Sequence, residues 1–256
     1  MEITDINKAP GHWILAKMGK KVLRPGGKEL TQKLVSGLHI NHTDEITEFA
    51  PGLGYTASLA LAHKPKTYIG VDADEDAIRL LKKNIHGNNV DFILGNAAET
   101  KLPNESKDKV YGEAMLTMHA DHRKSEIIRE AHRILKIGGL YAIHEMGLID
   151  ADEKLKSEIQ KDLALAIKVN ARPLTESEWK TLLEKEGFTI KQVHTNGMLL
   201  LETMRVIDDE GFLGALKIGI NILLHTNARK RINEMRKVFV NHKKHINSIV
   251  IIAEKN

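Results

Sequence analysis

From Glu45 to Glu145 the chain alternates short runs of apolar and β-branched residues with stretches whose apolar residues recur at helical spacing. EITEFA (Glu45–Ala50) reads as a strand that stops at Pro51-Gly52, and Tyr55 to His63 reads as a helix. TYIGVD (Thr67–Asp72) is the next strand, followed by a helix from about Asp74 to Ile85 with Asp74 as its N-cap. VDFIL (Val90–Leu94) and KVYGEAML (Lys109–Leu116) are strands three and four. Ile127, Ile128, Ala131, Ile134 and Leu135 trace a helix that stops at Gly138-Gly139, and LYAIHE (Leu140–Glu145) is strand five. Strands separated by helices are joined by crossovers rather than hairpins. The expectation is a parallel sheet with helices on both faces.

Outside that block the pattern is less regular. Residues 153–170 look helical, Pro173 interrupts them, and Thr175 with Glu178 forms a capping box for a helix ending at Gly187. FTIKQVH (Phe188–His194) is a sixth strand and INSIVIIAE (Ile246–Glu254) a last one, with a helical insertion at about 210–241 between them. His12 to Gly37 holds one or two helices. A single domain over 1–256 is expected. Its core would be about 38–150, 174–206 and 245–256, with cap elements at about 10–37, 151–173 and 208–242.

The 256 residues are 42% hydrophobic, enough to bury a substantial core. There is no cysteine, which removes disulfides, thiolate-ligated metals, iron–sulfur clusters and thiol nucleophiles together. No metal site is read in the sequence. Met1 to Pro10 is polar, not the apolar core of a signal peptide, and the longest apolar stretch, near Phe212 to Leu224, is short for a bilayer and contains Lys217. A cytoplasmic protein is expected. The formal charge of +4 is small, but Arg229, Lys230, Arg231, Arg236, Lys237, Lys243 and Lys244 crowd one stretch opposed mainly by Glu234. That stretch is either the solvated face of an amphipathic helix or a docking face for an anionic substrate or surface.

Ligands of an open parallel sheet lie beyond the C-terminal ends of its strands. Ala50-Pro51-Gly52-Leu53-Gly54 sits at such an end and opens a helix, whose free N–H groups suit a carboxylate or phosphate. Asp72 ends the second strand, 18 residues after Gly54, where an acid can accept both hydroxyls of a ribose. Together the two features favour a nucleoside ligand.

In order and spacing these motifs resemble the class I S-adenosylmethionine-dependent methyltransferases, and best the small-molecule enzymes of the ubiquinone-biosynthesis type. EFAPGLG (48–54) looks like the first motif, YIGVDAD (68–74) like the acidic motif of strand two, and LGNAAETKLP (94–103) like the adenine-contacting loop. HRILKIGGLYAIHE (132–145) looks like the approach to strand five. The resemblance implies a Rossmann-like α/β fold: a seven-stranded, mostly parallel sheet, here capped by the N-terminal arm and two insertions. It implies S-adenosylmethionine as donor, with Glu48, Ala50, Pro51, Gly52 and Gly54 around its methionine part and Met115 flanking that part. Asp72 would take the ribose, Ala73 would pack on the adenine, and Asn96 and Ala97 would edge it, Asn96 through its amide oxygen. Ala50 stands where the family usually has glycine, and Asn96 where aspartate is common.

Gly52-Leu53-Gly54-Tyr55-Thr56-Ala57 also fits the dinucleotide fingerprint, so an NAD(P)-binding oxidoreductase is the competing reading. Pro51 and Glu48 crowd the strand end, the Leu135–Gly139 turn has no role in it, and forty-odd residues precede the first strand. A donor-binding regulatory protein without catalysis is the other alternative.

Methyl transfer is an in-line displacement that requires a base only when the nucleophile arrives protonated. His119 and His144 are the candidate bases, with Glu145 third. No proline-rich amino-methylation loop follows strand four and no nucleic-acid module is recognisable, so a small-molecule acceptor is expected and a nucleic-acid one is not. His12, Trp13 and Glu145 are candidate lid or substrate residues. GFLGALKIGINILL (Gly211–Leu224), apolar on nearly every face, is expected to be buried, to roof the acceptor pocket, or to lie in a membrane interface beside the basic stretch.

Overall fold

The computed structural model describes residue 6, residues 8–198 and residues 200–256. Residues 1–5 and 7, in the N-terminus read above as lacking a signal peptide, and residue 199 lie outside the described residues. Eight strands are described: β1 (Glu45–Phe49), β2 (Thr67–Asp72), β3 (Val90–Leu94), β4 (Lys107–Glu113), β5 (Leu135–Leu148), β6 (Leu174–Thr175), β7 (Phe188–Gly197) and β8 (Ile246–Lys255). Seven of them run in the order β3-β2-β1-β4-β5-β8-β7, and β8 is antiparallel to both neighbours. The eighth, β6, was not expected; its two residues pair beside the end of β5 at Gly147 and Leu148.

The helices are α1 (Gly11–Lys17), α2 (Gly27–Gly37), α3 (Tyr55–Leu61), α4 (Glu75–Asn84), α5 (Asp121–Ile134), α6 (Glu153–Ile167), α7 (Glu176–Lys185), α8 (Thr203–Leu224) and α9 (Thr226–Asn241). Local chemistry starts two of them where the sequence says. The Asp74 carboxylate accepts the N–H groups of Asp76 and Ala77, and the Thr175–Glu178 capping box is complete.

Two boundaries differ from expectation. β4 stops at Glu113, not Leu116, because Ala114 turns into the left-handed region (φ 54) and a short 3-10 turn follows at Leu116–Met118. α5 ends at Ile134, before the glycine pair. Leu135 is fully buried and already pairs with Lys107, while Leu140 pairs with Lys109, so residues 136–139 bulge out within β5.

Three apolar clusters hold the molecule. On one sheet face, α5 and α7 bury Ile127, Ile128, Ile134, Trp179 and Leu183 against β4, β5 and β8. On the other, α2, α3 and α4 bury Leu34, Leu38, Ala57, Ala60 and Leu81. In the third cluster α1, α6 and α9 meet through Ile14, Met18, Leu163, Ile232, Met235 and Phe239, beside the end of β5 at Met146 and Leu148, whereas α2, expected among the cap elements, packs on the sheet instead. α8 does not follow the burial expectation, since Ile218 is its single buried residue. No described helix is long and apolar enough to cross a membrane.

Candidate active site

The tips of β1, β2 and β4 open onto a cleft of about 580 Å³, lined on its other side by α1 and the segment that follows it. Asp72 links the first two tips. Its Oδ2 accepts the Gly52 N–H (3.0 Å) and its Oδ1 accepts the Asp74 N–H (2.9 Å). The carboxylate is mostly buried, and burial raises its pKa above the usual aspartate value against those backbone bonds. Lone pairs remain on both oxygens for a ligand in the cleft.

The turn after β1 brings Ala50, Gly52 and Leu53 to the cleft. Gly54 has a different task. It sits at φ 82 as the residue before α3, and a Cβ there would lie 2.7 Å from Ile85 and 2.8 Å from Leu81. It sets how closely the turn packs on α4. Pro51 packs under the sheet near Gly70.

Beyond β2 and β3 the cleft is edged by Ala73, Asp74, Ala77, Asn96 and Ala97. The Asn96 oxygen, expected to face an adenine, already accepts from Arg123 (2.6 Å) and the Ala98 N–H (3.0 Å). Only its amide N–H groups remain free for the cleft.

At the tip of β4 the carboxylate of Glu145 accepts three consecutive N–H groups, from Met115, Leu116 and Thr117, together with the Thr117 hydroxyl. Burial raises the pKa of Glu145, and those four donors oppose the rise. This carboxylate folds the 3-10 turn that carries Met115, Met118 and His119 to the cleft. His119 is half-buried, and burial followed by the charges of Arg123 and Lys124 lowers its pKa.

The cap adds the opposite wall: His12 and Trp13 from α1, then Leu23 and Arg24. Arg24 is 6% exposed and donates from Nε to Glu113 (2.8 Å). Among the described residues its other guanidinium N–H groups have no hydrogen-bond partner. Glu113 also accepts from Thr31 and Thr56 and bonds Nδ1 of His144 (2.7 Å). Burial pushes Glu113 up, but Arg24, His144 and Thr56 outweigh it and hold its pKa at about 2.

A second, apolar chamber of about 70 Å³ lies beside the cleft, walled by Leu15, Met146, Met198, Met235 and Phe239 among others. His12, Leu23, Ala114 and Met118 line both spaces, so the two lie side by side.

The family described as "Methyltransferase domain" matches residues 47–143, the stretch that supplies the strand-tip wall. A Haemophilus influenzae protein of uncharacterised function is 34% identical over 250 residues, covering 96% of this chain and 98% of its own length. An uncharacterised methyltransferase of Synechocystis is 25% identical over 188 residues, 71% of this chain and 85% of that one. Among solved structures, a Haemonchus contortus phosphoethanolamine N-methyltransferase in complex with S-adenosylhomocysteine and phosphomonomethylethanolamine superposes with a TM-score of 0.73 at 15% identity. The match covers 96% of this chain and 57% of that one. This chain belongs to the class I S-adenosylmethionine-dependent methyltransferases.

Five residues assigned to the methyltransferase site from sequence do not line the cleft: Pro51 and Gly54, which pack on Gly70 and α4, and Glu48, His144 and Glu145. Glu48 is buried beneath the cleft, accepting from the hydroxyls of Tyr68 and Tyr111, and burial raises its pKa to about 7. His144 is not at the end of β5 but four residues inside it, fully buried; Nδ1 meets Glu113 and Nε2 makes no hydrogen bond among the described residues. A ring so enclosed cannot reach an acceptor. Glu145 shapes the β4 turn instead of meeting substrate.

Arg24 and Glu113 were missed. Glu113 was visible as the one acid in KVYGEAML, but a strand drawn through Leu116 hid that it ends the strand on the ligand side. Arg24 precedes the Pro25-Gly26-Gly27 turn into α2, which marks a loop and carries no sign of the partner 89 residues away.

Proposed function

We propose that this methyltransferase uses S-adenosylmethionine to methylate a small, largely apolar acceptor in an enclosed pocket. The observation that supports the reading is adjacency: a cleft with an acid at the β2 tip shares four wall residues with a chamber lined by methionine, leucine and phenylalanine. The donor group supplies a methyl already activated on a sulfonium. Asp72 would accept its ribose hydroxyls, Ala73 and Ala97 would flank the adenine, and the Asn96 amide N–H would meet a ring nitrogen. Arg24, with N–H groups unspent and Glu113 behind it, fits the donor's carboxylate. Met115 would lie along the methionine part.

The chain's own work is alignment and exclusion of water, which in favourable systems supplies about 7–11 kcal/mol of the barrier. His12 lines both spaces, and burial lowers its pKa, with Asp74 opposing, so the neutral ring can accept a proton from the acceptor. His119 lies on the cleft side alone and would be the proton acceptor for a nucleophile held there.

Calorimetric titration with S-adenosylhomocysteine and with NADH tests the donor. Binding of the first and not the second is expected; the reverse would restore the dinucleotide reading and end this one. With an acceptor in hand, His12→Ala is expected to cut turnover while leaving S-adenosylhomocysteine affinity within a few-fold. Unchanged turnover would remove His12 from proton transfer.

A further inference from the structure

One part of the cap serves neither the cleft nor the core. In α8 from Gly211 onward, Phe212, Leu213, Leu216, Ile220, Leu223 and Leu224 are all exposed, Leu213 by 79% and Leu224 by 74%. At 100° per residue they fall within an arc of about 120°, with Lys217 at its edge and buried Ile218 opposite. A stripe this apolar is rare on a free protein surface and marks a contact.

The next helix has a matching division. Arg229, Lys230, Arg236 and Lys237 are exposed and also share an arc of about 120° on α9. Its other face supplies Met235 and Phe239 to the apolar chamber. From Gly211 to His245 the sequence carries Lys217, Arg229, Lys230, Arg231, Arg236, Lys237, Lys243 and Lys244 against Glu234 alone. Among the described residues this region's ion pairs are His242–Asp162 and Lys243–Glu202, so Lys217 and the four α9 cations are uncompensated.

We propose that α8 and α9 dock this protein on an anionic membrane surface, the α8 stripe entering the headgroup boundary and the α9 cations meeting lipid phosphates. An apolar stripe with a basic border is the pattern of helices that lie in the interface rather than span it. A second copy of the chain is the poorer occupant. Isologous contact through α8 would bring the Lys217 side chains of both copies to the seam, with no acid on the stripe to receive them.

The docked half is coupled to the cleft. Gly211, at φ 75 and ψ 165, kinks α8 and divides the exposed half from the half before it. In that first half Asp209 bonds Lys20 and the Lys28 N–H, and Glu210 accepts the N–H groups of Lys21 and Val22. Those bonds hold the segment that carries Leu23 and Arg24 over the cleft.

Vesicle co-sedimentation of the full chain at low salt tests this. Binding to phosphatidylcholine vesicles containing phosphatidylglycerol is expected, with none to phosphatidylcholine alone and release at high salt. Arg236→Gln with Lys237→Gln should weaken partitioning roughly thirtyfold. Phe212→Glu with Leu216→Glu should abolish it while leaving S-adenosylhomocysteine affinity unchanged, which also verifies the fold. Leu213→Trp should shift its emission to the blue with anionic vesicles. No sedimentation with anionic vesicles, sedimentation indifferent to the Glu pair, or a dimer by light scattering that the Glu pair dissociates would each overturn the proposal. None of these outcomes bears on donor binding, so the donor reading stands or falls separately.

Discussion

The two walls of the cleft are held in different ways. The strand-tip wall is fixed through the backbone: Asp72 grips two N–H groups of neighbouring turns, and Glu145 gathers three at the β4 tip. The cap wall rests on apolar packing of α1, α6 and α9 and, among the described residues, on the buried ionic contact of Arg24 with Glu113 at the sheet. A wall made of local turns is rigid and written in consecutive residues. A wall made of distant packing is free to differ between relatives, and that freedom suits it to acceptor choice.

The largest effect is therefore expected where the walls meet. Glu113→Ala would leave Arg24, the Nδ1 of His144 and two buried hydroxyls without their acceptor. Breaking a buried pair from one side costs about 3–5 kcal/mol. Urea unfolding should register that loss, and S-adenosylhomocysteine affinity should fall with it. A loss below about 1 kcal/mol, the scale of a surface pair, would mean that packing alone seats the arm.

Two buried acids sharpen the contrast with opposite signs. Glu48, within the sheet, has a folded pKa of about 7 against an ordinary 4.5. The stability it contributes is fully present below pH 4.5 and is lost as pH rises through 7. Glu113, at about 2, does the reverse: its contribution is present above pH 4.5 and lost as pH falls through 2. Between pH 5 and 8 only Glu48 of the two titrates. The advantage of Glu48→Gln over the unmodified chain is expected to grow by about 3 kcal/mol from pH 4.5 to pH 8. A difference that stays flat in urea unfolding across that range would place the ionised form at no disadvantage.

Next in size is the strand-tip wall itself. Asp72→Ala removes the acceptor of the Gly52 and Asp74 N–H groups along with the proposed ribose contact. A loss of about 2 kcal/mol in S-adenosylhomocysteine binding, roughly thirtyfold, is expected by calorimetry. Affinity within a few-fold of the unmodified chain would separate Asp72 from the ligand.

This contrast also explains what the sequence revealed. Strand–helix alternation, the Asp74 cap and the Thr175–Glu178 box are interactions between near neighbours, and they sit where the residues say. Glu48 was assigned to the site through the resemblance, and His144 because a strand end was taken to face a ligand. Which face and which depth a side chain occupies depends on the strand's true length and on its neighbours: Tyr68 and Tyr111 claim Glu48, and β5 runs on to Leu148. The exposure of the α8 stripe was open in sequence for the same reason, since an apolar helix does not carry the name of what covers it.

The smallest expected effect lies at the motif's one departure from glycine. Ala50 holds φ 52 as the chain leaves β1, and its N–H still bonds the Val71 carbonyl (2.8 Å). An alanine in the left-handed region carries a steric cost that glycine does not, while glycine adds freedom to the unfolded chain. The first term is the larger where φ is positive. The methyl also packs lightly against the core beneath α5, which offsets part of the gain. Ala50→Gly should therefore stabilise by about 0.5–1 kcal/mol in urea unfolding, with S-adenosylhomocysteine affinity unchanged. If it destabilises instead, the methyl's packing outweighs its strain, and the strand-tip wall depends on side-chain contact as the cap does.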